Sequence, residues 1–163
     1  MKDDTFYKGS IDTPLGSLLL VWRDDGLMAA GFENELNFSF HDQAQPSDVP
    51  SLYHDAFQAY FDGDLGALDK LPIAQVGSPF FLKVWRALRE IPAGETRSYQ
   101  EIATAIGNPK GVRAVGMANG RNPLSIIVPC HRVIGKNGKL VGYAGGLDRK
   151  KWLLEHEGIA FKQ

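Results

Sequence analysis

The chain contains a single cysteine, Cys130, and a histidine follows it directly. His131 and Arg132 give the thiol a basic neighbourhood, which favours the thiolate, the nucleophilic form of cysteine. A carboxylate, Glu157, lies further on in a predicted helix. A nucleophile, a base and a group that orients the base are the components of covalent catalysis. The alternative is a structural role for Cys130, because cysteine is among the residue types most often buried in protein cores.

The residues around the cysteine predict its local structure. Residues 126–128 and 133–134 are β-branched, so we expect the thiol at the end of a buried extended segment. Pro129 stiffens the approach because its φ is fixed and it has no N–H. Neighbours on an extended chain project to opposite sides, which places His131 poorly for direct contact with the sulfur of Cys130. We therefore expect a water molecule between the two side chains.

Glu157 shares an apolar face with Leu153 and Leu154 in a helix predicted over residues 148–157, which Gly158 ends. A carboxylate on such a face needs a partner, and a histidine would serve. The alternative is an exposed glutamate near a fraying helix end.

Start and stop signals before the cysteine predict a helix-turn-helix. Ser78 and Pro79 suit the N-cap and first position of one helix, and residues 98–101 fit a capping box that opens a helix ending at Ile106. Pro109 suits the first position of the next helix, predicted to run to about residue 120. The second helix of such a pair normally enters a DNA groove.

That second helix has an unusual composition. Residues 110–121 contain three glycines and two alanines, and each glycine costs up to ~1 kcal/mol in helix propensity relative to alanine. One interpretation is close packing against another helix. The other is close approach of the helix backbone to a ligand.

The net charge of −1 is distributed unevenly along the 163 residues. Residues 1–82 contain four basic and 13 acidic residues, whereas residues 83–163 contain 14 basic and six acidic residues. The second half is therefore the one suited to binding a polyanion.

The first half shows strand patterns at residues 5–11, 15–22 and 27–32, followed by a helix at 51–61 and a linker rich in Gly, Asp and Pro at 62–77. None of these patterns suggests chemistry, and His41 and His54 are interpreted as surface residues. Near the other end, the Asn-Gly pair within residues 136–139 predicts a hairpin, which would be the wing of a winged helix.

Three spaced motifs carry a resemblance to a known family: PCHRV at residues 129–133, GYAGG at 142–146 and WLLEHEG at 152–158. Together they resemble the O6-alkylguanine-DNA alkyltransferases over about residues 78–158, with a weaker echo in residues 13–16. The resemblance implies an α+β protein in two parts. Residues 1–77 would form a scaffold with a small three-stranded antiparallel sheet, helices and the linker, and residues 78–163 a mainly helical winged helix-turn-helix domain.

The resemblance also implies an activity, which is the single-turnover, irreversible transfer of the alkyl group of O6-alkylguanine in DNA to the protein's own cysteine. The resemblance leaves open whether O4-alkylthymine is also a substrate. The target base would be flipped out of the stack, because its reacting atom lies inside the duplex. The expected partner is double-stranded DNA that contains O6-alkylguanine.

Roles for individual residues follow from the same resemblance. Cys130 would accept the alkyl group, His131 would activate it through water, Glu157 would orient His131, Tyr99 would donate its hydroxyl to the base, and Asn122 would brace the turn beneath the site. Arg113 would fill the gap in the base stack. The other expected DNA contacts are Ser98, Tyr99, Ala114, Gly116 and Arg121.

The expected substrate pocket consists of Asn119, Val133, Tyr143, Ala144 and Gly145, with the backbone carbonyls of Cys130 and Val133 accepting from the guanine amine. Some relatives carry Ser at position 144 and Met at position 119. Because Ala144 has no hydroxyl, contacts with the guanine oxygen are left here to backbone N–H groups. Because Asn119 replaces the methionine, apolar packing against the base at this position is in doubt.

No cofactor is expected, because the chain has no phosphate-binding or dinucleotide-binding motif. No metal is expected either, since the first half lacks the cysteines of relatives that bind zinc. No segment approaches the length of a membrane span, and a single cysteine suits a reducing compartment. We therefore expect a cytoplasmic monomer that does not contact membranes.

The same residues are compatible with two other functions. A cysteine hydrolase could use Cys130, His131 and Glu157, although hydrolase partners are usually far apart in sequence. A DNA-binding regulator or lesion sensor could use the helix-turn-helix alone. The family's sensor relatives lack the reactive cysteine, so Cys130 discriminates against this second function.

Overall fold

A computed structural model describes residues 5–32, 40–140 and 146–162, without the side chains of residues 40 and 41. It confirms the predicted α+β fold. Three antiparallel strands, β1 (Tyr7–Thr13), β2 (Gly16–Arg23) and β3 (Gly26–Phe32), form the first sheet. A fourth strand, β4 (Gln45–Pro46), pairs in parallel with β1 to give the order β3-β2-β1-β4. It was not predicted, because two residues carry no alternating pattern.

Strand β3 connects the two halves of the chain. Every residue of β3 is buried, and the Ala30 N–H donates to the carbonyl of Pro123 at 2.8 Å. The Ser125 N–H returns a bond of 3.0 Å to the carbonyl of Ala30. The segment that leads to Cys130 is thereby attached to the N-terminal sheet, and one apolar core continues from the sheet to the C-terminal helices.

Helix α1 (Ser51–Phe61) has its predicted bounds. Its buried face consists of Tyr53, Phe57 and Tyr60, whereas Leu52 is 59% exposed. The buried position at the start of the helix is taken by Tyr53, which packs beside Trp22. Tyr60 enters the core pointing toward the C-terminal half, which matters for the site.

Helices α2 (Pro79–Arg89) and α3 (Tyr99–Ala105) begin as predicted. The Ser78 hydroxyl accepts from the Phe81 N–H at 3.1 Å, with Pro79 in the first turn. Ser98 and Glu101 form a complete capping box at the start of α3, with bonds of 3.1 and 2.9 Å. These caps satisfy N–H groups that a helix start otherwise leaves unpaired.

Helix α4 (Val112–Gly120) begins three residues later than predicted. The expectation that Pro109 opens the helix was wrong, because this segment continues the preceding turn. The Gln100 side chain donates to the carbonyl of Pro109 at 2.9 Å, and the Gly111 N–H bonds the carbonyl of Asn108. The end of α4 is as expected, with Arg121 as C-cap just before Asn122 and Pro123.

Residues 124–132 form successive turns rather than the extended segment that the β-branched residues predicted. The Val128 N–H bonds the carbonyl of Leu124 at 3.0 Å, and Ile126 has φ of 75°. Ile126 is the only non-glycine residue with positive φ in the described parts of the chain. The apolar side chains are buried, as predicted, but tertiary packing overrides their preference for a strand.

Past the cysteine, strand β6 (Val133–Ile134) pairs in parallel with β5 (Arg97–Ser98). The predicted turn is present, since the Gly135 N–H bonds the carbonyl of Lys139 at 2.8 Å. The predicted second strand of the wing falls mostly in residues 141–145, outside the described residues. Before it, Lys139 bridges in parallel with Lys162.

Helix α5 (Leu147–His156) ends as predicted at Gly158, which has φ of 74°. The Ile159 N–H bonds the carbonyl of Leu154, and the Gly158 N–H bonds that of Glu155. This pair of bonds is the Schellman motif, and it fixes Glu157 as the last capping residue. No helix among the described residues is both long and apolar enough to cross a membrane.

Candidate active site

Cys130 begins a single 3₁₀ turn, Cys130–Arg132, in which all three residues are buried. Three residues per turn separate successive side chains by about 120°, so Cys130 and His131 diverge even though the chain here is not extended. The pairing of β5 with β6 brings the start of α3, and therefore Tyr99, beside this turn. The thiol therefore lies beside the paired strands β5 and β6 and the start of α3.

Asn122 holds the turn that precedes the cysteine. Its amide donates to the carbonyls of Leu124 at 3.2 Å and Val128 at 2.8 Å. Its side-chain oxygen accepts from the Leu124 N–H at 3.0 Å. One buried side chain therefore satisfies three backbone groups around Ile126, whose strained φ needs such support.

Beneath the cysteine, Glu157 lies at the centre of a buried hydrogen-bond network. Its Oε2 atom is 2.8 Å from Nε2 of His131. Arg132 donates from Nε to Oε1 at 2.7 Å and from its second terminal nitrogen to Oε2 at 3.1 Å. The Tyr60 hydroxyl donates to Oε2 at 2.5 Å. The carboxylate side chain is fully buried, so these donors replace water entirely.

The charges in this network shift the pKa values of its members. Burial alone would raise the pKa of Glu157, but hydrogen bonds from His131 and Arg132, together with the positive charge of Arg132, outweigh burial and hold this pKa well below its usual range. Burial lowers the pKa of His131, and the Glu157 charge offsets this only in part. A neutral imidazole therefore lies beside an ionised carboxylate at neutral pH.

These protonation states determine which ring nitrogen of His131 carries the proton. An ionised carboxylate can only accept, so Nε2 of His131 carries the hydrogen in its bond to Glu157. Nδ1 then presents a lone pair. It is buried and has no hydrogen-bond partner among the protein atoms that the structure describes, so it is the ring nitrogen that can accept a proton.

A second buried cation, Lys150, lies near the thiol. Its Nζ atom donates to the carbonyl of Val133 at 2.7 Å, and the residue is fully buried. Burial lowers the pKa of Lys150 to about 8, and the charge of a Cys130 thiolate opposes this shift. Lys150 is therefore still mostly protonated at neutral pH, and its charge favours the thiolate in return.

Tyr99 and Asn119 form the side of the site toward α4. Burial and the charge of a Cys130 thiolate raise the pKa of Tyr99, while a hydrogen bond from Asn119 opposes the shift. The phenol therefore keeps its proton and can donate it. A Cβ atom added to Gly116 would meet the Tyr99 ring at 3.9 Å, which is ordinary contact, so α4 packs along the ring.

The outward side of α4 is exposed. Arg113, Ala114, Met117 and Gly120 are exposed, with Met117 at 55%. Apart from its chain neighbours and the backbone of its own helix, a Cβ atom added to Gly120 would meet no described atom within 4 Å. Close packing inside the protein therefore explains neither Gly116 nor Gly120. The other interpretation, in which a ligand approaches the helix backbone closely, stays a prediction.

The structure brings together Cys130, His131, Glu157, Tyr99, Asn119, Asn122 and Val133 of the predicted site residues. Arg113, Ala114, Gly116 and Arg121 lie on or at the end of α4, and Ser98 uses its hydroxyl as the cap of α3. Tyr143, Ala144 and Gly145 lie outside the described residues. The carbonyl of Cys130 accepts from the Val133 N–H, and that of Val133 accepts from Lys150.

Sequence reasoning missed three members of the site. Arg132 was interpreted as a neighbour of the thiol, but its guanidinium binds Glu157 and the carbonyl of Ile91 instead. Lys150 had a signal, because it precedes Glu157 by seven residues and so shares its helical face. Tyr60 had none, since 97 residues separate it from Glu157.

Both halves of the chain are similar to known proteins. Residues 79–159 match the DNA binding domain of 6-O-methylguanine DNA methyltransferase, and residues 6–75 match the ribonuclease-like domain of the same family. The methylated-DNA–protein-cysteine methyltransferase of Methanosarcina acetivorans is 47% identical over 156 residues, covering 93% of this chain and 98% of that protein. The Salmonella typhimurium protein of the same name is 44% identical, covering 91% and 93%.

Solved structures give the same result. An O6-methylguanine methyltransferase of Mycobacterium tuberculosis superimposes with a TM-score of 0.84 at 42% identity, covering 98% of this chain and 97% of that one. The OGT of the same organism in complex with DNA superimposes with a TM-score of 0.81 at 41% identity, covering 94% and 93%. Because the sequence matches both halves of the family over nearly its whole length, the chain belongs to the 6-O-methylguanine DNA methyltransferase family.

Proposed function

We propose that this protein repairs DNA by transferring the alkyl group of O6-alkylguanine to Cys130. The observation that carries this proposal is the position of the only cysteine, which lies above a buried histidine–carboxylate network and beside the basic helix-turn-helix. A hydrolase would need no such helix pair, and a sensor would need no such network.

Activation of the thiol follows from the hydrogen-bond pattern. Nδ1 of His131 is a buried acceptor that lacks a protein partner among the described atoms, and buried acceptors of this kind commonly bind an ordered water. Such a water would carry the thiol proton of Cys130 to Nδ1. Glu157 would stabilise the resulting imidazolium through Nε2, and Lys150 would stabilise the thiolate.

The transfer itself is a displacement at a saturated carbon. The bond between sulfur and the alkyl carbon forms as the bond between that carbon and O6 breaks, and the electron pair of the broken bond stays with the guanine. The Tyr99 hydroxyl donates a proton to the base as this negative charge develops, which is general acid catalysis. The proton that His131 took from the thiol then restores Tyr99.

The DNA would be held by α4. Its exposed face combines small residues with Arg113, so the backbone of the helix can approach the sugar-phosphate rails of the minor groove closely. Arg113 would occupy the gap left in the base stack when the nucleotide is flipped out. Arg121 and the Ser98 hydroxyl at the start of α3 would contact the flanking phosphates.

The two halves of the chain would have different roles. Residues 1–77 would serve as the scaffold domain and residues 78–163 as the DNA-binding and transfer domain. Because the reaction needs a reduced thiol, we place the protein in the cytoplasm. All the proposed groups come from one chain, which is consistent with a monomer.

The direct test is the intact mass of the protein after mixing with a duplex that carries one O6-methylguanine. The protein should gain one methyl group in place of one hydrogen on the peptide that contains Cys130, and the guanine should be restored without release of free base. Unmethylated duplex should leave the mass unchanged. Cys130→Ser should bind the methylated duplex, with an affinity that falls steeply with salt, and gain no mass. Mass gain in Cys130→Ser would contradict the proposal.

A further inference from the structure

Tyr60 belongs to the N-terminal half, which showed no chemistry in the sequence, yet its hydroxyl bonds the carboxylate beneath the cysteine. Tyr60 is only 1% exposed. Its hydroxyl donates to the same Oε2 atom of Glu157 that accepts from His131. The pKa of Tyr60 is raised, mainly by burial and secondly by the negative charge of Glu157. The phenol therefore keeps its proton and is the donor in this bond.

Every charged or titratable group that faces this bond can be identified among the described residues. Glu157 is contacted by His131, Arg132 and Tyr60. Lys150 acts on His131 through its charge. On the other side, Nε2 of His156 donates to the backbone carbonyl of Tyr60 at 2.7 Å, and its ring packs 5.2 Å from that of Tyr60.

The shared oxygen makes the two hydrogen bonds interdependent. A carboxylate oxygen that accepts a bond from a phenol has less negative charge available for the imidazole beside it. The proton affinity of His131 is therefore lower with the Tyr60 bond than without it. This matters because His131 must be neutral to accept the thiol proton, whereas a lone buried carboxylate would tend to hold the histidine protonated.

We propose that Tyr60 is a positioning residue through which the N-terminal half weakens Glu157 as an acceptor and so keeps His131 neutral before reaction. The inference rests on the proposed function, in which His131 acts as the base for Cys130. It gives the N-terminal half a part in setting the reactivity of the thiol. Because Tyr60 lies on α1, the packing of the N-terminal half affects how readily His131 accepts the proton of the Cys130 thiol.

The test is the pH dependence of thiol alkylation by iodoacetamide, which needs no DNA. Tyr60→Phe removes the donor and keeps the ring. Glu157 then attracts the imidazolium more strongly, the thiolate–imidazolium pair becomes more populated, and the pH of half-maximal alkylation moves down by about half a unit, the order expected for one hydrogen bond. Titration of the His131 ring followed by NMR should show its pKa rising in the same variant.

The matched control is Tyr53→Phe, which removes a hydroxyl from the same helix. Tyr53 is also buried, but its environment includes Trp22 and the charge of Asp25 rather than Glu157. This variant should leave the alkylation profile where it is. A merely structural role for Tyr60 would give Tyr60→Phe no shift, or the upward shift expected when the relay is loosened, and either result would overturn the proposal.

A second substitution protects the test if Tyr60→Phe does not fold. A ring-fluorinated tyrosine at position 60 keeps the hydroxyl and nearly the same shape, but its phenol is more acidic and donates more strongly. The alkylation profile should then move up rather than down, and the absence of an upward shift would overturn the proposal. Failure of the proposed function would look different, because the protein would leave O6-methylguanine in DNA intact while these profiles still shifted.

Discussion

Two regions of the C-terminal half each contain an arginine, but one arginine is buried and the other is exposed. Beneath the cysteine, the Arg132 guanidinium is buried and bonded to Glu157 and to a backbone carbonyl. On α4, Arg113 is exposed among alanine, glycine and methionine residues. Charges in the buried network act on each other strongly because water is excluded, whereas exposed charges are screened. The buried group is therefore suited to setting proton affinities, and the exposed group to binding a polyanion.

The largest effect should come from breaking the buried pair. Arg132→Met would leave the Glu157 carboxylate buried with only His131 and Tyr60 as donors, and such an uncompensated charge costs about 3–5 kcal/mol. Urea unfolding should show this loss in the free energy of unfolding. The matched control, Arg113→Met, should change it by less than about 0.5 kcal/mol. Similar values for the two variants would remove the contrast between the buried and the exposed arginine.

A second effect on stability concerns Lys150 and has a defined pH window. Its pKa is about 8 in the folded protein against 10.5 as the ordinary value, so between these values the unfolded chain binds more protons than the folded one. The free energy of unfolding should therefore gain about 3 kcal/mol from this group as pH rises from 8 to 10.5.

Lys150→Met should lack this gain, and the difference between the two unfolding curves measures it. The variant should also raise the pKa of the Cys130 thiol, because a nearby positive charge is lost. If the free energy of unfolding depended on pH in the same way in both proteins, burial would not lower the pKa of Lys150.

On the exposed side, Arg113→Ala should separate binding from chemistry. If Arg113 fills the gap left by the flipped base, repair of O6-methylguanine in duplex DNA should slow by about tenfold or more, equivalent to ~1.4 kcal/mol. Reaction with free O6-benzylguanine should change little, since no stack needs to be held open. Single-turnover rates on the two substrates measure this ratio. Equal losses would assign Arg113 to the stability of α4 instead.

The smallest of these effects concerns the carboxylate of the relay. Glu157→Gln removes the charge that stabilises the His131 imidazolium, so the thiol should need a pH higher by up to about one unit for half-maximal alkylation by iodoacetamide. This shift is opposite in direction to that of Tyr60→Phe. A profile identical to that of the natural protein would reduce the Cys130–His131–Glu157 arrangement to a structural contact.

Local signals predicted most of the elements that position the site. The Ser78 and Ser98 caps, the end of α5 at Gly158 and the contact of His131 with Glu157 all depend on residue types at short, regular spacing, which the sequence displays directly. Lys150 was readable in the same way from its helical spacing to Glu157. The overlooked signal shows that a buried face should be examined for every charged residue, not only for carboxylates.

Features that depend on distant packing could not be read in this way. The strand predicted before Cys130 is a turn because Asn122 and β3 supply hydrogen bonds that override the preference of residues 126–128. The start of α4 is delayed because Gln100 holds Pro109 in the preceding turn. Tyr60 reaches Glu157 only through the tertiary fold, so its part in the network had no counterpart in local sequence.

The central claim is that Cys130 is the final acceptor of the alkyl group. Displacement leaves a neutral thioether, which has no carbonyl for water to attack, and the chain contains no second cysteine to remove the group. Titration with an excess of duplex that carries O6-methylguanine should therefore give a burst of repaired guanine equal to the amount of active protein, with no steady rate afterwards. A sustained rate beyond one equivalent, or release of free base, would contradict the account.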